Sequence, residues 1–253
     1  MPIESSQIRL RLAARALGRH GLAHAYGHCS LRLSSTHFLV CAAQPMGLIG
    51  AGEPGEVVPV NGPLPAGVLG EVRIHQRIYA RRPDVHGITR TQPPALMALG
   101  TARRVPQPRH GFGAYFGAGI GLWDDPQLLR DDQSADRLAQ QLGDRRAIVM
   151  RGNGLVMAAA SIIEATVFTW YLEDAARLEL MVDGAGLQQE SVILTPDECA
   201  RRAVNTGQII ERMWTFLTAN DPETPAVMSR GAVGSSDTQS NGSASPDPGD
   251  GNP

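Results

Sequence analysis

Two apolar runs, Ala147–Met150 and 155–159, are joined by nothing more than Arg151-Gly152-Asn153-Gly154. No other feature restricts the fold of this chain as much. Asn-Gly between apolar runs is a strong signal for antiparallel strands joined by a tight turn. Ser161 follows at once and can cap a long helix to about Met181, with Glu164 three residues later completing a capping box. A strand pair feeding a helix is then set among further alternating elements. A first helix, capped by Ser5 or Ser6, carries Ile8, Leu12 and Leu17 and stops at Gly18 and Gly21. Short strands are predicted at 30–33, 37–41 and 56–60, and another at 86–91. A helix over 68–81 presents Leu69, Val72, Gln76 and Tyr79 as one stripe and ends at Pro83. Residues 94–99 and 134–142 read as helices. The stretch 111–122, with five glycines and three aromatics, reads as a loop or edge strand near a site or interface. Thr195-Pro196-Asp197-Glu198 opens a last helix to about Thr218. Helices alternating with short strands indicate a layered α/β sandwich. The domain is read as residues 1–220. From Asp221 to Pro253, Ser, Gly, Pro, Asp and Asn dominate, and such a tail cannot bury enough surface to order itself.

Composition narrows the chemistry. A net charge of −2 forces no face toward nucleic acid or an anionic membrane. The apolar runs are far shorter than a membrane span, and the N-terminal residues lack the apolar core of a secretory signal, so a cytoplasmic protein is expected. Cys29, Cys41 and Cys199 are odd in number and show no CxxC spacing, which suggests neither a disulfide framework nor a thiolate zinc site. All 23 basic residues are arginine. A Schiff-base mechanism through a lysine amine is therefore closed to this chain.

Four segments, in order, resemble the class II aldolase/adducin family. Tyr26-Gly27-His28-Cys29-Ser30-Leu31-Arg32 is similar to its early glycine turn, commonly GNxSxR or GHxSxR. The run from Glu71 through His75, Ile78-Tyr79 and Arg82-Pro83-Asp84-Val85 resembles its E-x-x-x-H-x-x-I-Y-x-x-R-P-D-V signature. Ile88-Thr89-Arg90-Thr91-Gln92-Pro93-Pro94 sits where the family has V-H-x-H-S/A-P, and Met150-Arg151-Gly152-Asn153-Gly154 where it has an N-H-G or G-H-G turn. The resemblance covers roughly residues 7–218. It implies a three-layer α/β/α sandwich with a central, mostly antiparallel sheet, and a homotetramer with sites between subunits. The family holds sugar-phosphate aldolases, an epimerase, a dehydratase, decarboxylases of aromatic or pyridine acids, and the adducin head domain.

Family enzymes bind a divalent metal through three histidines, and the matching positions here are Arg90, Gln92 and Asn153. Amide carbonyls are poor zinc ligands, and arginine does not deprotonate. The expectation is therefore no metal and no cofactor, with a small-molecule substrate. Leu69-Gly70 stand before Glu71, where the sugar-phosphate aldolases carry hydroxyls, so a phosphorylated substrate is not expected. Glu71 matches the family's acid/base carboxylate. Arg90 could replace the metal as a fixed cation that stabilises an enolate or carboxylate while Glu71 moves a proton; a structural ion pair filling a dead site is the competing reading. His110 and Tyr115 are candidates for a second proton-transfer group or an interface. His28, Ser30, Gln92, Arg151 and Asn153 are candidates for substrate contact. His75 reads as a satisfied core or interface residue rather than a catalyst. Three functions remain open: a metal-independent lyase on a small oxygenated acid or ketone, a non-catalytic binding or assembly protein, and a metalloenzyme using other ligands such as Glu71, His28 and His110.

Overall fold

The structure is a computed structural model, and it describes residues 3–224. Seven strands form one sheet: β1 (His28–Arg32), β2 (His37–Val40), β3 (Glu56–Pro59), β4 (Gly87–Thr91), β5 (Gly121–Trp123), β6 (Ala147–Met150) and β7 (Gly154–Ala159). Their spatial order is β3-β2-β1-β4-β7-β6-β5, and every neighbouring pair is antiparallel except β5 with β6.

Side chains of a strand alternate between faces, and here both faces are covered. On one side Leu155, Met157, Cys29 and Leu39 meet α1 (Ile3–Arg19), α3 (Pro94–Thr101), α5 (Ile162–Gly184) and α7 (Ile209–Leu217). On the other, Val156, Ala158, Ile88 and Phe38 meet Ile74, Ile78 and Tyr79 of α2 (Arg73–Arg81) and Leu138 and Leu142 of α4 (Asp132–Leu142). The result is the expected three-layer α/β/α sandwich with a mostly antiparallel sheet. The double covering explains why β6 and β7 read as continuous apolar runs rather than alternating ones. No helix among the described residues is long and apolar enough to cross a membrane.

Four element readings are corrected. The predicted helix over 68–81 begins later: a 3-10 turn at Gly70–Val72 precedes α2, and Leu69 is extended and 44% exposed, so it is not part of the buried stripe. The predicted last helix is two: α6 (Pro196–Arg202), with its Thr195–Glu198 capping box, and α7, separated by Gly207 and Gln208 in left-handed backbone. Asn205-Thr206-Gly207 is the turn signal that the helical periodicity hid. Ser5 and Ser6 lie inside α1 rather than at its cap. The packed chain also runs past residue 220. Asp221 and Glu223, assigned by composition to the tail, are ion-paired with Arg11, Arg15 and Arg19 of α1. Residues 225–253 lie outside the described residues.

Candidate active site

Strand register builds the floor of the site. His28 of β1 lies directly opposite Arg90 of β4. Both belong to the sheet face that carries Ile88 and looks toward α2. The 3-10 turn ahead of α2 delivers Glu71 above them, and the turn between β6 and β7 brings Asn153 to the end of β4. Gly154 is required for that approach: its φ is +95°, and a Cβ there would sit 2.0 Å from the Thr91 carbonyl oxygen. These elements enclose a cavity of about 700 Å³ whose polar wall includes His28, Glu71, Arg90, Gln92, Asn153 and Arg130.

Arg90 is the centre of the arrangement. Its guanidinium is buried yet sparsely compensated. One nitrogen donates to the Thr91 carbonyl at 3.2 Å, and the other to the Asn153 side-chain oxygen at 3.1 Å. The same nitrogen lies 3.5 Å from Glu71 Oε2, while Nε has no hydrogen-bond partner among the described residues. Burial lowers the Arg90 pKa and Glu71 works against that drop. Asn153 Nδ2, Glu71 Oε1 and His28 Nε2 are also buried without a partner among the described residues. Buried polar groups are nearly always satisfied in folded proteins. Four unmet atoms converging on one cavity therefore mark a surface shaped to receive a polar ligand.

His28 Nε2 faces Glu71 Oε2 at 4.0 Å. Its Nδ1 lies 2.9 Å from His75 Nε2, and His75 Nδ1 lies 2.6 Å from Ser30 Oγ, which is 2.9 Å from the Tyr79 hydroxyl. Burial pushes the His28 imidazole well below its ordinary pKa, with His75 and Arg90 adding to the drop. Burial, then Arg90, takes His75 down to about 3. Both rings are neutral near pH 7.

The sequence-predicted residues divide clearly. His28, Glu71, Arg90, Gln92 and Asn153 come together around the cavity. Ser30 does not line it; it lies fully buried behind His28, bonded to His75 and Tyr79. Arg151 turns away and is held by the Asp124 carboxylate and its carbonyl oxygen. His110 pairs with Asp174 at 2.9 Å, and the Tyr115 hydroxyl donates to the Val204 carbonyl at 2.6 Å; neither lines this cavity. Arg130 was missed. It stands in the loop before α4, lines the cavity, and no carboxylate among the described residues pairs with it. No spacing pattern in the sequence singles it out.

The donors do not fit a divalent cation. The positions that would hold one present a guanidinium and two carboxamides, and the guanidinium occupies the place of the charge it would displace. No group of three His, Cys, Asp or Glu side chains that could ligate an ion exists among the described residues, so the alternative set of Glu71, His28 and His110 is not assembled.

A seven-stranded, mostly antiparallel sheet covered on both faces, with a polar cavity at the end of its central strand, defines an α/β sandwich protein. The model of the Class II Aldolase and Adducin N-terminal domain matches residues 9–180, and the chain belongs to that family. It is 29% identical to a 3,4-dihydroxyphthalate decarboxylase of Arthrobacter keyseri over 194 residues, 70% of this chain and 78% of the relative. It is 24% identical to a protein of the same name from Rhodococcus jostii, over 73% of this chain and 83% of the relative. Among solved structures it is similar to an aldolase II superfamily protein from Pseudomonas syringae, with a TM-score of 0.73 and 23% identity over 86% and 92% of the two chains.

Proposed function

We propose that this chain is a lyase that decarboxylates a small, non-phosphorylated, hydroxylated acid without a metal, Arg90 serving as the fixed cation and Glu71 as the proton carrier. The observation that carries the reading is the buried, under-paired Arg90 guanidinium at the wall of an open polar cavity, 3.5 Å from Glu71. A scaffold that had lost its chemistry would gain stability by filling such a space with apolar side chains. Relatives named 3,4-dihydroxyphthalate decarboxylase, covering most of their own length, support a hydroxylated aromatic acid as the substrate class.

The chemistry balances simply. Glu71 takes the proton of the hydroxyl beside the scissile carboxylate and passes it to the ring carbon that bears that carboxylate, so the oxygen becomes a ketone. The bond between that carbon and the carboxylate then breaks, CO₂ leaves, and the electron pair returns to the oxygen, which becomes a phenolate. Arg90, itself buried, stabilises this oxygen with preorganised donors. The phenolate takes up a proton from solvent, so the net change is one proton taken up and one CO₂ lost. Arg130 at the rim suits a second carboxylate of the substrate. Membership of this family supports assembly as a homo-oligomer, read here as a homotetramer.

The test is CO₂ release from 3,4-dihydroxyphthalate by protein dialysed against a strong chelator. Turnover is expected to survive chelation and to fall at least about 100-fold in Glu71→Gln and in Arg90→Ala, the scale of losing one preorganised charge stabiliser. Activity that disappears with the chelator and returns with a divalent ion overturns the reading.

A further inference from the structure

A chain of four buried side chains leads inward from the cavity: His28, His75, Ser30 and Tyr79, linked at 2.9, 2.6 and 2.9 Å. All four are almost completely buried. Each link needs one donor and one acceptor, and a hydroxyl donates once but can accept twice, so few proton orders are open to the chain. We infer that it runs outward from Tyr79, that it holds His28 as the Nε2–H tautomer, and that His28 meets the substrate as a neutral hydrogen-bond donor to an anionic oxygen.

The direction follows from the two ends. Ser30 is the only hydrogen-bond partner of the Tyr79 hydroxyl among the described residues. A phenol hydrogen must find an acceptor, and Ser30 Oγ is the one within reach. The Ser30 hydroxyl is then free to donate to His75 Nδ1. A neutral imidazole that accepts at one nitrogen carries its proton on the other, so His75 Nε2–H donates to His28 Nδ1. By the same rule the His28 proton sits on Nε2, facing the cavity. With His75 Nδ1 donating to Ser30 instead, the hydrogen of either Tyr79 or Ser30 is stranded in the interior, because each hydroxyl has no further acceptor among the described residues. That order also aims the His28 Nε2 lone pair at Glu71 Oε2, 4.0 Å away. Both ends therefore favour the same order. Arg32, whose guanidinium lies 4.6 Å from the centre of the Tyr79 ring and donates to the Tyr79 carbonyl at 2.8 Å, fixes the inner end of the relay.

The consequence for the site is specific. A neutral ring with its proton turned outward can neither ligate a metal through Nε2 nor act there as a base. It adds a second kind of donor beside the Arg90 guanidinium. In this arrangement Tyr79, Ser30 and His75 are positioning residues that act through His28. The substrate role of His28 rests on the lyase reading above; the tautomer does not.

Neutron diffraction from crystals of the full chain exchanged into D₂O reads the order directly. Deuterium is expected on Nε2 of both His28 and His75, on Ser30 Oγ directed at His75, and on the Tyr79 oxygen directed at Ser30. Deuterium on His28 Nδ1, alone or together with Nε2, overturns the inference. The second arm is Tyr79→Phe, which keeps the ring and removes the end that sets the direction. If the two tautomers then become equal, the dissociation constant for phthalate as a carboxylate probe rises about twofold, because the competent form is halved. An unaltered single Nε2–H tautomer in Tyr79→Phe, with unchanged phthalate affinity, overturns the part assigned to Tyr79. A protein with the expected tautomer but no decarboxylation would sink the lyase reading and leave the relay standing.

Discussion

At the scale of single residues, Arg90 and His75 bury polar groups in opposite ways. Arg90 keeps a charge inside the protein, held by one carboxylate and two oxygen acceptors, one on each terminal nitrogen of its planar fork. Arg90→Lys is therefore not conservative, since a compact ammonium cannot reach Thr91 and Asn153 together. It is expected to recover less than about a tenth of the rate lost in Arg90→Ala, measured as CO₂ release. His75 avoids charge instead. Its folded pKa is about 3, against an ordinary value of 6.5. Below 6.5 the unfolded chain takes up a proton that the native ring refuses, so stability is complete above that pH and is lost as pH falls toward 3. One such histidine contributes a slope of about 1.4 kcal/mol per pH unit. Urea midpoints at pH 7 and pH 5 should differ more in the wild type than in His75→Gln; equal differences would refute the buried neutral ring. The sequence exposed the residues that share a motif position, namely Glu71, Arg90, Gln92 and Asn153. It could not rank them against Arg151, His110 and Tyr115, because only tertiary contacts with Asp124, Asp174 and Val204 turn those three away.

Among the elements, the turn between β6 and β7 was the most legible, because its glycines meet a geometric demand stated within four residues. Gly154 combines a φ of +95° with a carbonyl oxygen 2.0 Å from where a Cβ would stand, whereas Gly152, at φ +67°, has nothing within 4 Å. Gly154→Ala is expected to cost about 3 kcal/mol or more, lowering Tm by about 6–12 °C, and to move Asn153 from Arg90. Gly152→Ala should cost only about 1 kcal/mol, the penalty of left-handed backbone alone. Matching Tm values for the two variants would show that the close approach to Thr91 is not what holds the turn. Strands β1 and β2 and helices α3, α4 and α5 were also readable from apolar runs, caps and breakers. The errors fell where periodicity continued through a local break. Gly70 allowed a 3-10 turn to replace the first turn of the predicted helix, and Gly207-Gln208 split a stretch whose apolar spacing had looked continuous.

For the whole molecule, the first helix is tied to Asp221 and Glu223 across more than 200 residues of sequence. Arg11, Arg15 and Arg19 repeat every four residues along one stripe of α1. Asp221 is gripped by Arg15 through two bonds of 2.7 Å and by Arg19 at 2.9 Å. Glu223 accepts from Arg11 at 2.6 and 2.8 Å and from Arg15 at 2.7 Å. The Asp221 side chain is 0% exposed and that of Arg15 is 7% exposed, so the cluster is buried. Composition could not reveal it, because Asp221 and Glu223 stand in a Pro- and Asp-rich sequence that reads as solvated, and their partners are fixed only once α1 has docked. Removing one side of a buried ion pair leaves the other charge uncompensated, which typically costs about 3–5 kcal/mol. A chain ending at Asn220 should therefore melt about 6–20 °C below one ending at Thr224, measured by calorimetry under identical conditions. Because the charges are out of water, raising the salt concentration should narrow that gap only slightly. If the two chains melt together, residues 221–224 contribute nothing, and the boundary belongs at 220 after all.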